Sequence, residues 1–467
     1  MAILDDLLSD ASGFIWGPWL LIPLLLLSGL YLTVLLRGIQ VRRLALAFWL
    51  AFVKRKDLGA EGDISHYQAL STALAATVGV GNIAGVATAI ALGGPGAVFW
   101  MWCTGLVGMA TKYCEAFLGV RFRRTDAAGE QSGGPMYYLR RGIKGPLGIF
   151  LGGFFAVAGV FASFGIGNMT QANTVAANVN EEWGVAEPIT AIAVVVLAAA
   201  VIIGGIKSIG RVTSLLVPIM IVVYILGATA VLARNLDRVP AAFGVIFTDA
   251  FTGTAATGGF AGAAVAAAIR YGVARGIFSN ESGLGTGGIA AAAAKTTHPV
   301  RQALVSMTQT FIDTLVVVSF TALTIVVTGV WKDAGPEEAA SFTARAFAEG
   351  LPGGWGSVIV TLSVMFFAFS TLLGWSYYGE RCMEYLFGRK AVVPYRIVFI
   401  VVIYVGATTA LTTVWTFSDV MNGLMALPNL IGLLILSPLI YRETRAYFSE
   451  EHPEDFRARE CLRRRAR

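Results

Sequence analysis

Charge is scarce in this chain: only 14% of its 467 residues are Asp, Glu, Lys or Arg, while 56% are hydrophobic. Soluble domains carry about 25% charged residues. With a mean hydropathy of +0.69, the chain reads as an all-α polytopic membrane protein. Histidine is rarer still, at positions 66, 298 and 452 only, with no H-E-x-x-H, which excludes an intramembrane metalloprotease of that type. The four cysteines, Cys103, Cys114, Cys382 and Cys461, are scattered without C-x-x-C or metal-ligand spacing. They read as buried or cytosol-facing thiols. There is no G-x-x-x-x-G-K-[ST], which excludes an ATP-driven pump within this chain, and no nucleophile elbow. A membrane-embedded enzyme would need a nucleophile–base pair or a metal cluster, so the chain is expected not to be an enzyme. It is expected to use no cofactor and to bind no nucleic acid.

What the chain has instead is long apolar segments. They lie near 15–36, 67–92, 97–120, 147–178, 187–206, 212–233, 258–295, 301–330, 355–380, 393–412 and 420–441, about eleven at ~20 residues per crossing. The first is not a cleavable signal, because its start is acidic (Asp5, Asp6, Asp10) and basic residues follow rather than precede it. Loops 37–56, 121–146, 207–211, 296–301 and 381–390 are basic, and the tail ends in Arg463-Arg464-Arg465. The alternate loops carry Glu181, Glu182 and Glu187, or Asp333, Glu337 and Glu338. The positive-inside rule then predicts a multi-pass protein of the plasma or inner membrane, N-terminus outside and C-terminus cytoplasmic.

Two crossings are interrupted. Segment 67–92 carries Gly79-Val80-Gly81-Asn82 at mid-depth. Each Gly weakens a helix by about 1 kcal/mol relative to Ala, and an Asn amide needs partners that hydrocarbon does not offer. The run is either a small-residue packing face or an unwound turn whose backbone binds a ligand. Asn82 and Thr77 favour the second reading. Segment 258–295 carries the polar, Gly-rich insert Phe278–Gly288. It is either a loop or a second break, with Arg275 placed to pair with Glu281. If the first helix is set aside, ten remain, and the two breaks fall in the first helix of each five, entering from opposite sides. That pairing points to an inverted-repeat transporter.

The expected organisation is therefore four parts. Residues 1–66 hold an extracellular N-terminus, an extra crossing and an interfacial amphipathic helix near 44–53. Residues 67–234 form the first five-helix repeat. Residues 235–441 form the second, with an extracellular helix at 240–251. Residues 442–467 form a basic cytoplasmic tail. Polar groups gather at the two breaks rather than along one stripe, which argues against a channel.

Among other polar positions, Ser370-Thr371 lies inside an apolar crossing. On its own the pair reads as hydroxyls bonded back to carbonyls one turn earlier, although two hydroxyls also suit a hard cation. Trp375 shares a face with Thr371 and either closes a small cavity or packs. Lys112, Glu115 and Glu380 read as an inner-side salt-bridge group. Asp313 and Glu281 are the candidates for ion coupling.

These residues resemble a known family. The run Gln68-Ala69-Leu70 through Ala75-Ala76-Thr77-Val78-Gly79-Val80-Gly81-Asn82-Ile83-Ala84-Gly85-Val86-Ala87, the stretches Gly93–Trp102 and Gly133–Tyr138, and Gly276–Gly285 are similar to the alanine/glycine:cation symporter family. Val80 stands where many members have Thr, and Ser282 where Ala is usual. The resemblance implies a LeuT-type fold of five-plus-five inverted repeats with one extra N-terminal helix. It implies symport of alanine or glycine with sodium, with proton coupling in the same fold as the alternative. By the same resemblance, Thr77, Gly79 and Gly81 face the substrate carboxylate, and Phe278, Ser279 and Asn280 face the substrate from the other break. Phe278 and Trp375 fill the cavity against larger side chains. Asn82 and the Thr77 carbonyl face one sodium. The carbonyls of Ala75 and Val78, with the hydroxyls of Ser370 and Thr371, form a second sodium site.

Overall fold

The computed structural model describes residues 2–17, 19–57, 59–252, 261–332, 341–409 and 411–450. The Gly-rich stretch 253–260, the acidic residues Asp333, Glu337 and Glu338, and His452, Cys461 and the arginine-rich end lie outside the described residues. Among the described residues almost all regular structure is helical. The exception is a short antiparallel ribbon pairing Arg124–Thr125 with Gln131–Ser132.

Among the described residues, six helices are long and apolar enough to cross a membrane: Pro146–Trp183, Gly205–Arg234, Pro299–Thr328, Trp355–Phe387, Arg389–Ala407 and Trp415–Ser449. Trp355–Phe387 has 33 residues. At 1.5 Å per residue it runs about 50 Å, well past the ~30 Å hydrocarbon layer. Its last turns, with Glu380, Arg381 and Glu384, therefore have room to lie beyond the lipid. The outer helices show what faces lipid: Ile189, Ile192 and Val196 of Glu187–Ile202, and Val393, Ile397 and Val401 of Val392–Ala407, are exposed at three- and four-residue spacing. The interior is the reverse. Pro299–Thr310 is buried almost throughout, Gln302, Ser306, Gln309 and Thr310 included, and so are Lys112 and Glu115 of Gly96–Arg121.

Both interrupted crossings are broken. In the first, Ser65 and Gln68 form a reciprocal capping box that starts helix His66–Thr77. The chain leaves helical geometry at Val78, makes one 3-10 turn over Val80–Asn82, and resumes as Ala84–Gly93. In the second, helix Ala261–Asn280 ends, and the chain passes through left-handed Glu281 (φ 56°), Gly283 (φ 100°) and Gly285 (φ 89°) before Thr286–Ala292. This break is shorter than the insert Phe278–Gly288 suggested. Phe278, Ser279 and Asn280 are still helical, because their side chains find partners on neighbouring helices.

Several boundaries shift for local reasons. The first long apolar segment forms a helix only from Leu21 to Leu35 rather than from near 15, and Ala2–Ile15 is a separate helix. The sequence Gly17-Pro18 separates them, since the residue before proline disfavours helix. A short helix, Val239–Thr252, lies where one was expected, and its Asp249 accepts the Gly96 N–H at 2.8 Å, capping the start of helix Gly96–Arg121. The amphipathic stretch near 44–53 is helical, Leu44–Phe48 running into a wider turn Trp49–Lys54, with Leu46, Ala47, Leu50 and Ala51 inward. Helix Pro135–Gly142 and Phe342–Gly350 were not foreseen.

Among the described residues, three segments are wound as π-helix: Trp49–Lys54, Gly165–Met169 and Phe311–Val318. Such turns cluster at functional sites in other proteins. Phe311–Val318 carries Asp313, and Gly165–Met169 packs on helix Trp355–Phe387, where a Cβ on Gly167 would collide with Trp375.

Candidate functional site

The two breaks meet on one carboxylate. Asp313, fully buried, accepts Asn82 Nδ2 at 2.7 Å from the first break, Ser279 Oγ at 2.8 Å from the second, and its neighbour Thr314 Oγ1 at 2.7 Å. Asn82 also uses its Oδ1, which accepts the Gly79 N–H at 2.9 Å and so closes the 3-10 turn. In the first break the freed Gly79 N–H is thus satisfied by a side chain of the same turn, which Asp313 holds from another helix.

The second break has its own carboxylate. Glu115 Oε1 accepts the Gly283 and Gly285 N–H groups at 2.8 and 2.9 Å, and Asn429 Nδ2 at 2.9 Å. Lys112 Nζ lies 3.7 Å from Glu115 Oε2 and donates to the Glu281 carbonyl at 3.0 Å. Glu281 is spent on Trp375 Nε1 at 2.7 Å and Thr286 Oγ1 at 2.6 Å. The expected Arg275–Glu281 pair does not form. Six residues along a helix separate two side chains by about 120°, and the left-handed turn at Glu281 sends its carboxylate inward. Arg275 instead pairs with Asp419 at 3.2 Å. Lys112, Glu115 and Glu380 do not form one group either: Glu380 binds Arg381 and Arg396, each at 2.6 Å.

A second oxygen cluster lies across the first break. Ser370 Oγ and Thr371 Oγ1 sit 3.2 and 3.1 Å from the Ala75 carbonyl, and 2.8 and 3.0 Å from the Phe367 carbonyl. The hydroxyls are both back-bonded within their own helix and turned to the carbonyl of another. Val78 follows directly, as the residue that leaves the helix, so its carbonyl lies beyond the regular ladder. Helix Trp355–Phe387 approaches so closely that a Cβ on Gly374 would lie 2.7 Å from the Ala76 Cβ and 2.8 Å from its backbone. A Cβ on Gly79 would strike Thr371 Oγ1. Neutral oxygens gathered from two helices are a donor set for a hard cation.

The structure therefore brings together Ala75, Gly79, Ser370 and Thr371 on one side, and Asn82, Ser279 and Asp313 on the other. Gly81 faces Phe278, whose ring would lie 3.0 Å from an added Cβ. Thr77 Oγ1 is bonded back to Ala73 and Leu74 at 3.0 and 3.3 Å rather than joining either cluster. Asn280 caps its own helix end through the Ser282 N–H and reaches Thr314 at 3.1 Å. Phe278 stacks on Trp415 with centroids 5.3 Å apart, and the Arg275 guanidinium lies over both rings.

Sequence reasoning missed Gln171. It is buried, its Nε2 donates to the Ile166 carbonyl, and its Oε1 has no hydrogen-bond partner and lies 3.4 Å from where a Gly79 Cβ would sit. A buried orphan acceptor beside an unwound backbone is the feature a bound donor or cation would satisfy. Asn429 and Trp415 were also missed. All three are ordinary residues of apolar helices until the fold brings them to a break.

Comparison with known proteins agrees in kind. The family model described as sodium:alanine symporter family matches residues 1–459. The chain is 52% identical to the sodium/alanine symporter AgcS of Methanococcus maripaludis over 95% of this chain and 97% of that protein. It is 35% identical to the putative sodium/proton-dependent alanine carrier protein YrbD of Bacillus subtilis, over 92% and 90%. It is 34% identical to the probable sodium/glutamine symporter GlnT of the same organism, over 95% and 91%.

Proposed function

The chain belongs to the sodium:alanine symporter family, and from that premise we propose that it imports small neutral amino acids, alanine and glycine, driven by the sodium gradient through alternating access. It is a multi-pass membrane transporter and not an enzyme. The observation that carries the proposal is the oxygen cluster of Ala75, Ser370 and Thr371 beside a broken helix whose partner break shares Asp313 with it.

In this reading sodium sits among the Ala75 and Val78 carbonyls and the Ser370 and Thr371 hydroxyls. The two hydroxyl protons, which now satisfy carbonyls, swing away and lone pairs turn to the ion. The C-terminal end of His66–Thr77 adds the negative end of its dipole, while the N-terminal end of Ala84–Gly93 suits a carboxylate. The substrate carboxylate lies against Thr77, Gly79 and Gly81, with Asn82 facing a second sodium. Phe278, Ser279, Asn280 and Trp375 close the other wall. Trp375 is pinned by Glu281 and therefore resists swinging aside for longer side chains. The ten helices after the first form two inverted five-helix halves of LeuT type, with the N-terminus outside and the C-terminus cytoplasmic.

Sodium and substrate tighten each other's binding, by linkage. The test is alanine uptake into proteoliposomes with and without an inward sodium gradient, with glycine as competitor. Sodium-dependent uptake supports the reading. Equal uptake without sodium overturns it and moves coupling to protons at Asp313 or Glu281.

A further inference from the structure

Away from both breaks, the end of the first crossing and the end of the last helix enclose a cavity of about 240 Å³. Its walls are joined by a hydrogen bond between Tyr31 Oη and Ser437 Oγ at 3.1 Å. Four arginines line it: Arg37, Arg42 and Arg43 from one side and Arg445 from the other, over a floor that includes Leu36 and Phe448. Among the described residues, no acidic side chain lines it. Arg43 lies 4.2 Å over the Phe448 ring. Glu443, one helical turn from the cavity, is taken by Arg121 at 3.1 Å. Among the described residues, Arg37 and Arg445 have no carboxylate partner.

The chain is bent to make this arrangement. Arg37 and Gly38 are both left-handed, at φ 55° and 65°, so the chain turns sharply out of the first crossing and carries Arg42 and Arg43 back beside Arg37. Leu27, Leu30, Val34 and Val41 are exposed on the same stretch. A cationic mouth thus opens onto an apolar outer face at the end of a crossing. That combination matches an anion carrying hydrocarbon tails: the phosphodiester meets the guanidinium forks, and the acyl chains run along the exposed leucines and valines.

We propose that this cavity is a binding site for an anionic phospholipid, held by Arg37, Arg42, Arg43 and Arg445. A soluble phosphate shares the headgroup chemistry but gains nothing from the apolar face. The site is separate from the transport pathway, so its test does not depend on the substrate.

The full-length protein, purified in mild detergent, is titrated with phosphatidylglycerol, phosphatidylcholine or inorganic phosphate, and bound molecules are counted by native mass spectrometry. Phosphatidylglycerol is expected to be retained in preference to phosphatidylcholine and not displaced by millimolar phosphate. The double variant Arg37→Gln/Arg445→Gln is expected to bind it ~30-fold more weakly, about fivefold for each arginine removed. Arg37→Lys/Arg445→Lys keeps the charge, checks that the fold survives and should recover most of the binding. Arg211→Gln, at an exposed arginine near the start of helix Gly205–Arg234, should change nothing. Equal retention by the glutamine variant, equal retention of phosphatidylcholine, or displacement by phosphate alone overturns the proposal.

Discussion

Thr371 is the residue on which most depends. Its hydroxyl touches the Ala75 carbonyl, and the backbone at Gly79 packs against it. Thr371→Val keeps the shape and removes one oxygen. Loss of a net 1–1.5 kcal/mol of coordination corresponds to about a tenfold loss of apparent sodium affinity. Uptake measured against sodium concentration checks this, and an unchanged sodium dependence removes Thr371 from the site. Gly79→Ala acts on the same contact from the other side. Its methyl group has to displace the Thr371 hydroxyl, so sodium-dependent uptake should fall by far more than the ~1–3 kcal/mol of overpacking lowers the melting temperature. Both hydroxyls at 370 and 371 are bonded back within their helix, as residue chemistry alone suggested, and both also reach the Ala75 carbonyl on another helix. That second contact joins residues nearly 300 positions apart, and only the family resemblance pointed to it.

At the scale of elements, the second break is held from outside itself. Glu115 takes two backbone N–H groups of that break and the Asn429 amide. Glu115→Ala leaves the Gly283 and Gly285 N–H groups buried without an acceptor and removes the carboxylate beside Lys112, at a cost of about 3–5 kcal/mol. Glu115→Gln keeps an acceptor and should cost less. Thermal unfolding of the purified variants orders them, and equal melting temperatures would contradict this account of the break. The positions of both breaks were legible, because Gly, Asn and Ser are conspicuous in apolar runs. The partners were not. Local spacing suggested Arg275 for Glu281, while the actual partner of Arg275 lies 144 residues away at Asp419. Membrane-depth charges pair across helices, and periodicity within one helix carries no record of that. Short elements such as Pro135–Gly142 escaped for a different reason: eight residues give too few turns to show a period.

For the whole molecule, one charged latch joins segments distant in sequence. Asp57, in the loop before the first broken helix, accepts Arg301 Nη1 at 2.8 Å, Lys54 at 3.0 Å and the Thr297 N–H at 3.1 Å, with the His66 ring 3.4 Å away. Arg301 continues to Tyr447 Oη at 3.0 Å in the last helix. Burial alone would raise the Asp57 carboxyl, but its bonds from His66, Thr297 and Lys54 and the charge of Arg301 outweigh that and hold it well below the usual carboxylate range. A lowered value stabilises the fold at pH above the unfolded carboxylate range of about 4, and the contribution fades as pH falls through that range toward the folded value. Asp57→Asn should therefore lower the melting temperature at pH 7, with the gap to the unsubstituted protein narrowing toward pH 3. A gap that stays constant with pH would show that charge is not what the latch supplies.

The widened winding of Phe311–Val318 sets a limit on how this chain can change in length. Each π turn holds one residue more than an α turn, so removing a residue there is locally harmless, since it restores ordinary winding. Side chains on either side of the deletion then keep their facing, since the wide turn and the ordinary turn each close about once, but those inside the stretch are re-aimed. Asp313 and Thr314 would turn away from Asn82, Ser279 and Asn280, while Thr321, beyond the stretch, would stay within reach of Tyr224, to which it is now bonded at 2.7 Å. The chain would keep its helices and its hydropathy and lose the wide turn that aims Asp313. Among related sequences this stretch should therefore hold its length more strictly than its composition.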